Sequence, residues 1–373
     1  MFNFVDLAIA FTIALFSSFL LTYAVKKFAV KVGAVDFPNY RKIHKEVKPR
    51  LGGIAIFLGA LLGMVYLQPQ HEHLPEIFAG ALTIIITGAL DDRFSIKPVA
   101  KLTGQLIAAS FIVSSGLIIE RVTIPGIGMI DLGFFSVLIT VLWIVGITNA
   151  INLIDGLDGL ATGVTTIALI SIFIMAVTDA QVMAAYLAIV LIGANLGFLY
   201  HNFYPAKIYM GDTGSNFLGF MIAVVSMLGL FKNIAFFSFI VPIIVLAIPI
   251  FDTLVAIIRR AYNKESIMAA DNKHIHYQLI NAGYSHRKTV IIIYLFSAVF
   301  GGLAILFSEA SLKFALLISV FVFFFLHIFA ELAGIVMGGK RPVVDRLRKI
   351  RWKYKKPKVK TNKKNDKQGY QDN

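Results

Sequence analysis

The feature that most constrains this chain is its hydrophobic patterning. Apolar residues come in long blocks separated by shorter polar segments. A helix needs about 20 mostly apolar residues to cross about 30 Å of hydrocarbon, and only closed hydrogen-bonding patterns such as helices survive there. Eleven blocks can be placed, with approximate cores at 5–24, 52–67, 76–90, 103–119, 134–149, 160–178, 182–200, 216–231, 234–258, 289–307 and 312–336. Composition agrees: the chain is 58% hydrophobic and 15% charged, where soluble domains run near about 45–50% and about 25%. The expected fold is therefore an all-α polytopic membrane protein of about eleven transmembrane helices. Residues 1–339 form one transmembrane domain, followed by a basic, partly disordered tail at 340–373.

The first block reads as a retained helix, not a cleaved signal: no basic segment precedes it, and Lys26, Lys27 and Lys31 follow it. Lys and Arg favour the cytoplasmic side of a membrane. With the N-terminus outside, only Arg121, Lys232 and Lys313 of the 35 basic residues fall on the outer side. The C-terminus then lies inside with its basic tail, a solvated end or a contact to anionic lipid. The segment 122–133, with β-branched residues and turn glycines, is expected to form a short external hairpin. In a soluble protein the net charge of +14 would raise the question of nucleic acid. Here it follows the membrane, and no nucleic-acid partner is expected. The absence of cysteine excludes disulfides, thiolate metal sites and a Cys nucleophile.

The same orientation sorts the polar motifs. Five inner segments hold the clusters of Asp, Asn and His: PRLGG (49–53), LDDRFSIKPVAK (90–101), NAINLIDGLDG (149–159), HNFYPAKIYMGDTGSN (201–216) and DNKHIHYQLINAGYSHRK (271–288). Carboxylates at a membrane face are costly unless paired, hydrated or bound to cations. Asp91 and Asp92 are adjacent, and two such carboxylates ionise together only with a cation nearby. Mg²⁺ suits them, since it takes oxygen ligands and keeps waters and substrate phosphates in its shell; Mn²⁺ is an alternative. Standing alone, the pair would read as a solvated helix end.

Asn149, Asn152, Asp155 and Asp158 are spaced by three, so on a helix all four could line one polar stripe. Asp155 or Asp158 could equally cap the next helix. Asp212 is flanked by glycines, and a helix starting near Ser215 would offer backbone N–H groups to an anion. Tyr204 and Tyr209 could stack on a base, although each alone is an ordinary interfacial aromatic. His274 and His276 lie in a long charged loop. Without Cys partners they do not suggest Zn²⁺, and they read as contacts to a diphosphate, supported by His286, Arg287 and Lys288. Asp252, after Pro249, is the main charge inside an apolar block; it lines a cavity or serves structure.

No G-x-x-x-x-G-K-[ST], H-E-x-x-H or G-x-S-x-G motif occurs. Carboxylates, basic residues and His at one membrane face suit phosphoryl transfer, which depends on positioning and charge neutralisation. A bilayer location suits a lipid phosphate. A transporter would instead concentrate its polar residues near the bilayer midplane.

PRLGG, LDDRFSIKP, NAINLIDGLDGLATG, NFYPAKIYMGDTGS and DNKHIHYQL, in this order over roughly residues 20–335, resemble the polyprenyl-phosphate N-acetylhexosamine-1-phosphate transferase family. The resemblance implies a bacterial cell-membrane enzyme with its active site on the cytoplasmic face. Its partners would be a UDP-sugar, a polyprenyl phosphate and the bilayer, and a homodimer is compatible. Polyprenyl phosphate would attack the β-phosphorus of the UDP-sugar, and UMP would leave. The resemblance puts Asp91 and Asp92 at the lipid phosphate and metal, with Asp91 either the activating base or a group that only orients an already ionised phosphate, and Asp212 as the main Mg²⁺ ligand. Asn152, Asp155, Asn202 and Tyr209 would surround the uridine diphosphate, Asn149 and His276 would also bind substrate, and Asp158 would join Asp91, Asp92 and His274 as a catalytic residue. Lys45, Lys101 and His274 would neutralise phosphate charge. The pentapeptide-transferring branch leads one to expect three consecutive His, and this chain has His274-Ile275-His276-Tyr277. Within the family it looks most like enzymes that start wall teichoic acid linkage units, or O-antigen, with N-acetylglucosamine-1-phosphate. Phospho-N-acetylmuramoyl-pentapeptide transfer is the alternative activity.

Overall fold

The computed structural model describes residues 2–37, 47–124, 128–230, 240–266 and 273–332. Thirteen α-helices are defined among them: α1 (Phe4–Val32), α2 (Gly52–Leu67), α3 (Leu74–Phe94), α4 (Pro98–Ser114), α5 (Phe135–Ile154), α6 (Leu160–Thr178), α7 (Val182–Asn202), α8 (Gly211–Leu230), α9 (Ile240–Val245), α10 (Ala247–Tyr262), α11 (Ile275–Asn281), α12 (His286–Ser308) and α13 (Leu312–Leu332). Two short antiparallel ribbons complete the set. β1 (Val35–Asp36) pairs with β2 (Lys48–Pro49), and β3 (Arg121–Ile124) pairs with β4 (Gly128–Asp131), with Arg121 opposite Asp131. The second ribbon falls where a hairpin is expected. The basic tail and Lys45 lie outside the described residues.

Seven helices, α1, α3, α5, α6, α7, α12 and α13, are long and apolar enough to cross a membrane, and α2 and α4 are shorter apolar helices. The protein is thus a helical, multi-pass membrane protein. Large apolar side chains such as Phe16, Leu20, Ile86, Leu142, Leu295 and Phe323 are exposed on the outside, as lipid-facing positions must be when the solvent is hydrocarbon.

The expected single span at 234–258 is not one helix. In the described part it divides into α9 and α10 at Leu246. Pro249 has no N–H to give the carbonyl of residue 245, so the ladder is interrupted there. The long loop expected around His274 also contains a short helix, α11, whose Ile275 and Leu279 are buried one turn apart.

The centre of the bundle is α8. Every described residue of α8 except Asp212 is buried, and α2, α3, α5, α6 and α7 pack around it. Several approaches are backbone-close. A Cβ on Gly53 would lie 2.2 Å from the nitrogen of Gly214, and one on Gly88 would lie 2.5 Å from the Cα of Thr213. Helix α8 therefore starts where the ends of α2 and α3 meet, which fixes the position of Asp212.

Candidate functional site

Four of the five polar segments that the sequence singles out converge on the start of α8, and the described part of the fifth meets the third at Gly156. Their meeting begins with the backbone. Leu51 adopts φ 97°, a left-handed conformation that costs a branched residue about 1–3 kcal/mol. Around it, Gly52 N–H donates to Tyr209 O at 3.1 Å, Gly53 N–H donates to Met210 O at 3.0 Å, and Tyr209 N–H donates to Pro49 O at 2.9 Å. The PRLGG strand is thereby laced to the segment that presents Asp212.

The two carboxylates at the end of α3 have separate tasks. Asp92 is buried, and its oxygens accept from Asp212 N–H (2.9 Å), Thr213 N–H (2.9 Å) and Thr213 Oγ1–H (2.6 Å). Arg50 Nε lies 3.3 Å from Asp92 Oδ1, and Arg50 Nη1 lies 3.8 Å from Asp36 Oδ1. Asp92 thus caps the first turn of α8 and lies against Arg50. With its oxygens taken up by these partners, this carboxylate is committed to positioning. Gly211 belongs to the same device: its φ is +69°, and a Cβ there would meet Asp92 Oδ2 at 2.3 Å. The anion site expected at a helix starting near Ser215 is not formed: α8 begins four residues earlier, and Asp92 takes its first N–H groups.

The Asp91 and Asp212 carboxylates meet each other directly, with Lys101 beside both. Lys101 Nζ is 3.4 Å from Asp91 Oδ2, 3.0 Å from Asp212 Oδ1 and 3.0 Å from Asn152 Oδ1. Asn152 also donates to Asp212 Oδ1 and to Ser215 Oγ. Behind this layer lie three amides: Asn149 Nδ2 donates to Gln105 Oε1 at 2.8 Å, and Gln105 Nε2 donates to Asn216 Oδ1 at 3.1 Å. Asn149 is accordingly one turn below the cluster and paired within the bundle.

The proposed four-residue stripe is cut short. Helix α5 ends at Ile154, so Asn149 and Asn152 are helical while Asp155 is its C-cap and Asp158 lies in the following turn. Neither Asp caps α6, whose N-cap is Gly159. Burial, and then the Asp212 charge, push the Asp155 carboxyl up to about 8. Asp158 Oδ2 accepts from Ala206 N–H at 2.9 Å, which holds the turn before Met210. Asn202 is buried, accepting from Thr162 Oγ1–H at 2.8 Å and donating to Ile208 O at 3.0 Å. It braces the same turn from within. The half-buried Tyr209 hydroxyl is pushed above its ordinary range by burial, and then by Asp158, Asp36 and Asp155. Tyr204 packs against His286, with ring centroids 4.5 Å apart, and under Arg287.

His274 and His276 are not loop residues in water. Both are buried. Their rings are parallel with centroids 6.0 Å apart, and His276 lies against Gly156, where a Cβ would come within 2.1 Å of Nε2. Burial pulls the His276 imidazole down to about 4, so the ring is neutral at pH 7. The short helix α11 thus closes the site at the Asp155–Gly156 corner. Sequence reasoning did not single out Arg50, Thr213, Ser215, Gln105 or Asn216. The first lies inside PRLGG and the next two inside MGDTGS, so the motifs held the signal while the individual roles needed the fold.

The donor set can be tested against a divalent cation. Among the described residues no three His or acidic side chains converge on one point. A closed, all-protein cage is therefore not built from them. Two facing carboxylates with a lysine beside both fit a hard ion such as Mg²⁺, which is commonly held by one or two carboxylates plus substrate phosphates.

Comparison with known proteins bears on the same residues. Residues 74–230 match the model of glycosyl transferase family 4. The chain is 43% identical over 340 residues to a probable undecaprenyl-phosphate N-acetylglucosaminyl 1-phosphate transferase of Bacillus subtilis, covering 91% of this chain and 95% of that one. It is 34% identical to a decaprenyl-phosphate N-acetylglucosaminephosphotransferase of Mycobacterium tuberculosis, over 79% of this chain and 80% of that one. It is 28% identical to an undecaprenyl-phosphate alpha-N-acetylglucosaminyl 1-phosphate transferase of Salmonella typhi, over 84% and 89%. An end-to-end likeness of this extent, carried by the helices that build the carboxylate cluster, makes this chain a member of glycosyl transferase family 4.

Proposed function

We propose that the protein transfers N-acetylglucosamine-1-phosphate from UDP-N-acetylglucosamine to undecaprenyl phosphate at the cytoplasmic face of a bacterial cell membrane, starting a lipid-linked envelope glycopolymer. The observation that carries this reading is the Asp91–Lys101–Asp212 constellation, with Lys101 Nζ within 3.4 Å of both carboxylates, inside the stretch 74–230 that matches the family. A phosphate oxygen of the lipid forms a bond to the β-phosphorus of the UDP-sugar. The bond from that phosphorus to the UMP oxygen breaks, and UMP leaves with the electron pair. A phosphate monoester has its second pKa near 6, so the acceptor is mostly dianionic at pH 7. Asp91 then needs only to orient it.

Mg²⁺, held by Asp212 with Asp91 beside it, would neutralise the diphosphate charge; Mn²⁺ could replace it. Lys101 spans the two carboxylates and moves toward phosphate oxygens as they arrive. Asn152 fixes the Asp212 rotamer, and Tyr209 offers an aromatic face at the rim. Asp92 and Arg50 hold the α8 terminus still, which matters because catalysis by positioning is lost with small displacements.

The test is a donor panel. Purified protein with undecaprenyl phosphate and Mg²⁺ should release UMP from UDP-N-acetylglucosamine and form the diphosphate-linked lipid sugar. Release only from UDP-N-acetylmuramoyl-pentapeptide, or substrate-dependent flux with no UMP, overturns the proposal.

A further inference from the structure

The buried carboxylate of Asp252 has no part in the cluster described above, although it is aimed at a residue of the site. Asp252 sits on α10, just beyond the break at Leu246, and is 3% exposed. Asp252 Oδ2 lies 3.0 Å from His274 Nδ1, and Asp252 Oδ1 accepts from Ile275 N–H at 2.9 Å. Both oxygens thus point at the start of α11, one at the imidazole and one at the first helical N–H. Among the described residues no hydrogen bond is made to His274 Nε2.

We infer that Asp252 is a positioning residue that holds His274 with a proton on Nδ1 and so fixes Nε2 as the edge of the ring left for the substrate. This rests on the transferase reading for what His274 meets, but not for the dyad itself. The carboxylate is acceptor-only when ionised, so the atom facing it must donate, and Nδ1 therefore carries hydrogen. A carboxylate on Nδ1 fixes the tautomer and orientation of the ring, the division of labour by which a carboxylate orients a histidine in hydrolytic triads. The Ile275 N–H bond adds direction: the same carboxylate fixes the backbone from which His274 projects, so ring and helix cannot move independently. Asp252 thus ties α10, which begins just past the break at Leu246, to the start of α11.

The dyad explains why the two histidines differ. His276 has both ring nitrogens buried without a partner and works as packing against Gly156. His274 has a dedicated acceptor.

Three readouts test the inference on full-length protein in detergent or nanodiscs. First, ¹⁵N spectra of histidine-labelled protein, assigned by the signal lost in His274→Gln, should show Nδ1 protonated in the wild type. Asp252→Asn should shift that signature toward Nε2–H, because an amide can donate to Nδ1. A wild-type His274 protonated only on Nε2 overturns the inference, whatever the enzyme's activity. Second, Asp252→Asn should lower kcat by at least about 10-fold, the lower end of what losing a ligand's orienting partner costs. KM for UDP-N-acetylglucosamine should change by less than about threefold, and Asp252→Glu should recover part of the loss. Third, Asp252→Asn/His274→Gln should be no slower than His274→Gln alone; additive losses refute the coupling. If wild-type protein releases no UMP, the transferase reading fails and the ¹⁵N signature still decides the dyad. If Asp252→Asn does not fold, the wild-type signature decides it too.

Discussion

At the scale of single residues, the site divides its carboxylates between holding and reacting. Asp91 and Asp92 are neighbours in sequence, but successive residues on an α-helix point about 100° apart. One side chain therefore reaches into α8 while the other faces the open site. The sequence shows that an acidic pair sits at a helix end; only the packing of α3 on α8 says which member is the cap. Asp155 carries the clearest pH signature. Its carboxyl is pushed up to about 8 in the folded protein by burial and then by Asp212, against 3.8 for a free group. Between those values the folded state keeps a proton that the unfolded chain gives up. Stability therefore falls as pH rises across that window, and the cost is complete above about 8. Asp155→Asn removes the dependence. In metal-free buffer its thermal midpoint should match wild type near pH 4.5 and exceed it by about 2 °C or more at pH 8, since about 1 kcal/mol moves the midpoint of a chain this long by only about 1 °C. A variant less stable at pH 8 than at pH 4.5, relative to wild type, contradicts the assignment. His274 and His276 were legible as site residues but not as buried ones, because a His in a charged stretch looks solvated until Ile275 and Leu279 are seen to bury one face.

At the scale of elements, the site is precise because helices approach one another at backbone distance. Gly53 and Gly88 let the ends of α2 and α3 touch the first turn of α8. Asp212 is therefore placed by three helices and not by a loop. A Cβ at Gly53 would meet backbone atoms of Thr213 and Gly214 at 2.2–2.5 Å, and backbone cannot rotate away as a side chain can. Gly53→Ala should reduce turnover at least about 100-fold, consistent with the cost of displacing reacting groups by about 1 Å, and should lower the thermal midpoint. Activity within threefold of wild type would show that the approach is not essential. Most helices are legible from hydrophobic blocks, because about 20 apolar residues leave little alternative. The split at Leu246 is less so: Pro249 signals a disturbance, yet whether a proline kinks or divides a helix depends on what packs beside it. The early start of α8 was hidden for another reason, since its cap, Asp92, lies 120 residues away in sequence.

At the scale of the whole molecule, apolar helices bring five distant polar segments to one end of the bundle. That convergence is the strongest message of the sequence, because the motifs recur at the ends of apolar spans. The partner for each side chain was not legible, since contacts such as Arg50 with Asp92 or Lys101 with Asp212 join helices far apart in the chain. What the assembly provides is a pair of facing carboxylates beside a lysine, a setting for a divalent cation and a diphosphate. The most direct measurement of that claim is the Mg²⁺ dependence of UMP release in wild-type protein and in Asp212→Ala. The wild type should saturate with Mg²⁺ and be silenced by chelator, while Asp212→Ala should fall by at least about 1,000-fold and show no recovery in saturable Mg²⁺. Full turnover in Asp212→Ala with an unchanged Mg²⁺ midpoint would contradict it.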